Sequence, residues 1–70
     1  MTPVAYVSGG GSGIGRAVAG TLAADGWHVV VLGRRGHRLV ETAEQVRAAT
    51  PGARVDAVVT AAGGVSPLPG

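Results

Sequence analysis

Five glycines crowd the seven positions from Gly9 to Gly15, inside the run S-G-G-G-S-G-I-G-R that spans Ser8 to Arg16. Such a run suits anion binding better than bond making. Glycine lets the backbone turn tightly and approach a ligand with no Cβ in the way. A helix N-terminus adds unpaired N–H groups and the positive end of its dipole, both of which favour a phosphate. Here the apolar, β-favouring run Val4-Ala5-Tyr6-Val7 precedes the glycines, and a helical pattern begins directly behind them. Strand, glycine turn and helix start in succession give a glycine motif its meaning. The stretch reads as a nucleotide-phosphate turn.

Spacing selects the type of turn. The pattern G-x-G-x-x-G laid on Gly10 requires glycine where Ser12 stands, and laid on Gly11 it places Arg16 at the third glycine. The P-loop pattern fits Gly10 and Gly15 but continues as Arg16-Ala17, without the phosphate lysine or the magnesium-binding hydroxyl. What fits without a gap is [ST]-G-x-x-x-G-x-G, as Ser8, Gly9, Gly13 and Gly15. With Ile14 between the last two glycines and Arg16 after them, the stretch resembles the N-terminus of the short-chain dehydrogenase/reductase family. That resemblance implies a Rossmann-type fold and a nicotinamide dinucleotide held by Gly9, Gly11, Ser12, Gly13, Ile14, Gly15 and Arg16. Ser12 is also a suitable N-cap for the helix, a role compatible with cofactor contact.

A second cluster decides between the two dinucleotides. In a dinucleotide fold the end of the second strand faces the adenosine ribose, where an acidic residue binds the 2′-hydroxyl. Gly33 occupies that position, followed by Arg34 and Arg35. A carboxylate repels a 2′-phosphate, whereas a guanidinium grips it with two parallel hydrogen bonds. NADP is therefore expected over NAD, with Gly33 and Arg34 at the phosphate and Arg16 nearby. Arg38 reads as a solvated charge at a helix start.

The elements that must position these residues follow from periodicity. A first helix is expected over Gly13 to Asp25, with Ile14, Ala17, Val18, Thr21 and Leu22 toward a sheet and Gly26 in the left-handed position behind it. His28 to Leu32 (H-V-V-V-L) is the second strand. Trp27 before it is placed at the bottom of the sheet, away from the phosphate turn. A second helix over Arg38 to Ala49 turns Leu39, Val40, Ala43 and Val46 inward and Glu41, Glu44, Gln45 and Arg47 outward. Thr50-Pro51-Gly52 ends it, and Arg54 to Thr60 is the third strand.

The run V-D-A-V-V-T-A-A-G-G from Val55 looks like the fourth strand of the same family. Thr60, Ala61, Ala62 and Gly63 stand where an N-N-A-G segment lines the cofactor. By that resemblance Ala62 and Gly63 join the cofactor-binding set. Only Pro51-Gly52-Ala53-Arg54 separates the second helix from this run, so the chain reads as if one strand–helix unit had been deleted. The tail Val65 to Gly70 reads as turn, too short for another element.

The expected fold class is α/β: a partial Rossmann-type β-α-β-α-β unit with a three-stranded parallel sheet. It forms a single truncated dinucleotide-binding domain over residues 1–70. Right-handed crossovers put both helices on one face and favour strand order 3-2-1. The other face is then uncovered, and a partner chain or self-association through it is expected.

No catalytic residue is assigned. The family's hydride transfer uses a tyrosine and lysine spaced Y-x-x-x-K, but the chain has no lysine and its single tyrosine, Tyr6, lies in the first strand. Glu41 and Glu44 form an ordinary charged helix face. His28 lacks companions at ligand spacing, so no metal site is assigned, and the absence of cysteine removes disulfides and thiolate sites. A net charge of +2, carried by arginines with almost no aromatics, argues against nucleic acid as partner. No apolar run approaches the roughly 20 residues of a membrane span, and a cytoplasmic location is the expectation. Two readings stay open. One is the NADP(H)-binding N-terminal segment of a short-chain dehydrogenase/reductase-like oxidoreductase whose catalytic half is absent. The other is a non-catalytic, partner-dependent nucleotide-binding remnant.

Overall fold

The computed structural model describes residues 3–9, 11–61 and 64–67. The elements run β1 (Val4–Ser8), α1 (Gly13–Ala24), β2 (His28–Gly33), α2 (Gly36–Ala49), β3 (Val55–Ala61) and β4 (Gly64–Pro67). The sheet order is β1-β2-β3-β4. β1, β2 and β3 are parallel, with Tyr6 opposite Val30 and Val30 opposite Asp56. The β-α-β-α-β unit and the 3-2-1 order of its parallel strands are as expected.

Both helices pack on the same face of this sheet and against each other. Val7, Val29, Val31, Val55 and Ala57 point at them and build one core with Ala19, Ala23, Leu39, Ala43 and Val46. Strand alternation sends Tyr6, His28, Val30, Leu32, Asp56 and Val58 to the opposite face. No helix among the described residues is long and apolar enough to cross a membrane.

Four expectations need correction. First, the tail is not all turn: β4 pairs antiparallel with β3, Thr60 opposite Val65 and Val58 opposite Pro67. β3 would otherwise present an unpaired edge, and proline is tolerated in an outer strand, where its missing N–H breaks no ladder bond.

Second, α1 turns a different face inward. Its buried residues are Gly15, Ala19 and Ala23, while Ile14 is 82% exposed and Val18 44%. Small residues let the helix approach the sheet and α2 closely; Leu22 packs half-buried against the core as expected, while Ile14 and Val18 project sideways.

Third, α2 starts two residues earlier than expected, at Gly36. Fourth, Arg47 does not simply face solvent, because its Nη2 donates to the Val55 carbonyl. Trp27 lies at the end of the sheet away from the glycine turn, half-buried against the core.

Candidate functional site

The glycine turn is built by a few hydrogen bonds. The Gly9 N–H donates to the Leu32 carbonyl (2.9 Å), joining the start of the turn to the end of β2. Gly9 has φ of +73°, a left-handed conformation that costs an L-residue roughly 1–2 kcal/mol. The Ser12 N–H and hydroxyl both donate to the Gly9 carbonyl, at 3.0 and 2.8 Å. The same hydroxyl oxygen accepts from the Gly15 N–H at 3.1 Å and so caps α1. One serine side chain thus closes the turn and starts the helix.

Gly11 sits against the first turn of α2. A Cβ at Gly11 would lie 2.9 Å from the Cβ of Arg38, a distance that real Cβ contacts do not reach. Gly33 is tight as well, since a Cβ there would stand 3.2 Å from Leu39 Cδ2. Backbone and small residues therefore line a cleft of about 290 Å³ at the C-terminal ends of β1 and β2. Its walls are Gly9, Gly11, Ser12, Gly33, Arg34, Arg35, Arg38 and Leu39. Ligand pockets run from about 300 Å³ upward, so the cleft matches one end of a dinucleotide better than the whole of it.

The structure gathers five of the sequence-predicted site residues around this cleft: Gly9, Gly11, Ser12, Gly33 and Arg34. Gly13 and Gly15 lie just beyond, in the first turn of α1. Ile14 points into solvent. Arg16 is turned toward α2, where Nε donates to the Thr42 hydroxyl (3.0 Å) and Nη1 to Gln45 Oε1 (3.2 Å). Its Nη2 lies 3.7 Å from Glu41 Oε2. Ala62 and Gly63 fall outside the described residues, and the strand that leads to them lies beside β2.

Sequence reasoning missed Arg35 and Arg38 as cleft residues. The early start of α2 carries Arg38 into the helix's first turn, over Gly11. The spacing R-R-x-x-R around Gly36-His37 was the available signal, because a helix beginning at Gly36 brings its first turn back over residue 35. Indeed the Arg38 and Leu39 N–H groups both donate to the Arg35 carbonyl. The result is a backbone-lined pocket with three guanidinium-bearing residues and no carboxylate on its walls.

The remaining candidates stay apart from the cleft. Tyr6 is 72% exposed on the sheet face away from the helices. His28 Nε2 and Asp56 Oδ2 are 2.6 Å apart, a pair that joins β2 to β3 on that same face. Among the described residues no group of three potential metal ligands converges.

A family model described as short chain dehydrogenase matches residues 3–66. An uncharacterized oxidoreductase of Mycobacterium tuberculosis is 54% identical over 43 residues, which are 61% of this chain and 17% of that protein. A short chain oxidoreductase from Pseudomonas aeruginosa, solved with NADPH bound, superposes with a TM-score of 0.78 at 41% identity. That match covers 84% of this chain and 23% of the other. An NADPH-dependent reductase involved in bacilysin biosynthesis gives a TM-score of 0.79 at 28% identity, covering 86% and 24%. The chain thus spans about a sixth to a quarter of the length of these relatives.

Proposed function

Because this chain belongs to the short chain dehydrogenase family, we propose that it is the NADP(H)-binding segment of an oxidoreductase, in which residues outside these seventy carry out hydride transfer. The observation that carries the reading is the cleft itself, with glycine turn and Ser12 on one side and Gly33, Arg34, Arg35 and Arg38 on the other. Its donor set fits the adenosine end of the dinucleotide. Gly9 and Gly11 leave the backbone open to a phosphate, and Ser12 fixes the entry of α1, whose N-terminal dipole favours negative charge there. Arg34 at the end of β2 takes the 2′-phosphate, with Arg35 and Arg38 adding positive potential. Gly33 presents no carboxylate to repel it. The relatives solved with NADPH or NADP bound support the same choice.

When bound, the nicotinamide supplies the hydride that is exchanged with a substrate. The residues in hand hold and orient the adenosine half and choose between the two cofactors. Ala62 and Gly63 are proposed, on the family resemblance alone, to belong to the cofactor-binding set. The second reading, a cofactor-binding unit without chemistry of its own, draws on the position of Tyr6, the one tyrosine of these residues, away from the cleft. A cytoplasmic location belongs to both readings and accords with a cysteine-free composition.

The test is a pair of titrations, NADPH and NADH, at one fixed ionic strength, on the unaltered chain and on Arg34→Ala. A charge-assisted hydrogen bond contributes about 1.5–3 kcal/mol, so the variant should bind NADPH roughly ten- to hundredfold more weakly while NADH is spared. Equal affinities for both cofactors in the unaltered chain would show that the arginines are an ordinary solvated loop. Gly33→Asp should act in the same direction, though it must also displace Leu39, and is the less clean of the two variants.

A further inference from the structure

Among the described residues the core holds one buried polar side chain, Thr42, which is fully shielded from solvent. Threonine forms helices less readily than alanine, and valine would fill the same outline, so what this position gains is the hydroxyl. That hydroxyl accepts from Arg16 Nε at 3.0 Å and donates to the Arg38 carbonyl at 3.0 Å. Arg16 spreads the rest of its guanidinium along the same face of α2, with Nη1 on Gln45 Oε1 and Nη2 3.7 Å from Glu41 Oε2. A guanidinium carries donors on three nitrogens in one fixed plane, so three residues of α2 set its direction.

The two ends of this link belong to the two walls of the cleft. Arg16 stands in the opening turn of α1, four residues after Ser12, whose hydroxyl caps that helix and binds the Gly9 carbonyl. Arg38 stands in the opening turn of α2, so near the glycine turn that a Cβ on Gly11 would lie 2.9 Å from its own. A ring of contacts therefore closes, from the glycine turn through Ser12, Arg16, Thr42 and Arg38 back to Gly11. No member of it belongs to a strand.

We propose that the Arg16–Thr42 link positions the cleft walls: it fixes the first turn of α2 against the glycine turn, and so sets the affinity for either dinucleotide without choosing between them. This rests on the cleft being the cofactor site. If only a fraction of chains holds both walls at the binding distance, every ligand that needs both has its dissociation constant raised by the same factor. A residue that touches the 2′-phosphate, by contrast, moves NADPH alone. Loss of one ordinary hydrogen bond corresponds to roughly fivefold in an equilibrium constant.

Thr42→Val tests the link without altering charge. Titrated with NADPH and NADH, the variant should show both dissociation constants raised roughly fivefold and their ratio kept. Thr42→Ser, which retains the hydroxyl, should bind both nearly as the unaltered chain does. Arg47→Ala is the control for stability alone, because Arg47 ties the second half of α2 to β3 through the Val55 carbonyl. It should lower stability and leave both constants where they were. A second readout needs no cofactor. The Arg38 and Leu39 N–H groups donate to the Arg35 carbonyl, so their hydrogen exchange reports opening of the first turn of α2. Such local opening proceeds without global unfolding, and exchange at both should quicken roughly fivefold in Thr42→Val but not in Arg47→Ala. Unchanged exchange in Thr42→Val, a weakening of NADPH without NADH, or equal effects in Arg47→Ala would overturn the proposal. An unaltered chain that binds neither cofactor would instead sink the cofactor reading, and the exchange rates would still decide whether the link holds the turn.

Discussion

At the scale of single residues, the division of labour among the arginines is the most informative result. Arg16 follows the glycine turn so closely in sequence that proximity assigns it to the cofactor, yet its guanidinium is bound to Thr42, Gln45 and Glu41. Arg38, which reads as a solvated helix-start charge, lines the cleft. A linear sequence shows how near two residues are along the chain, not which way a helix turns them. Arg16 lies one position past Gly15, which faces the core, and so looks toward α2. The glycines were more legible, because their spacing reflects backbone demands that side chains cannot disguise. Gly11→Ala would set a Cβ 2.9 Å from Arg38 Cβ. Because both atoms sit on stiff backbone, the first turn of α2 must shift, and the expected result is weaker NADPH binding with less effect on stability. Gly9→Ala, by contrast, should cost roughly 1–2 kcal/mol of folding stability through its left-handed φ. Denaturant titration and cofactor titration on both variants check this; the reverse ranking would contradict these roles of Gly9 and Gly11.

At the scale of elements, the clearest β-run in the sequence, His28-Val29-Val30-Val31-Leu32, became the middle of the three parallel strands, buried on the helix side and flanked on both edges. The parallel order followed from the handedness of crossovers once helices were placed between the strands. The inward face of α1 was not legible. Its sequence is apolar nearly all round, and periodicity alone favours the larger residues Ile14 and Val18 over the smaller Ala19 and Ala23. The small ones are buried where α1 meets the sheet and α2, and Arg16, one position past Gly15, reaches Thr42 on α2. β4 was missed because Gly-Val-Ser-Pro has neither length nor alternation; its existence depends on the open edge of β3, a non-local fact. The Arg16–Thr42 link also makes a prediction. Thr42 is fully buried and its hydroxyl also donates to the Arg38 carbonyl, so it is not orphaned when Arg16 is removed. Arg16→Ala should therefore lower stability by only about 1 kcal/mol. It should alter the NADPH-to-NADH preference far less than Arg34→Ala does. A preference that collapses in Arg16→Ala would place that guanidinium at the phosphate after all.

At the scale of the whole molecule, the architecture is half of a layered fold. Two helices cover one face of the sheet, and the other carries a mixture of Val30, Leu32 and Val58 with Tyr6, His28 and Asp56. A core of this size rarely supplies more than about 3–5 kcal/mol net, so anything that binds only the folded chain should have a visible effect on its stability. The same linkage applies to the cleft. A ligand at a hundred times its dissociation constant adds about 2.7 kcal/mol, a large fraction of what the fold itself supplies. Cofactor choice by the arginine-lined cleft is therefore tested by the thermal unfolding midpoint of the chain at fixed concentration and salt, measured alone, with NADPH and with NADH. Binding in the arginine-lined cleft predicts a clear upward shift with NADPH, a smaller one with NADH, and loss of the difference in Arg34→Ala. No shift with either cofactor, or equal shifts that survive in Arg34→Ala, would contradict it.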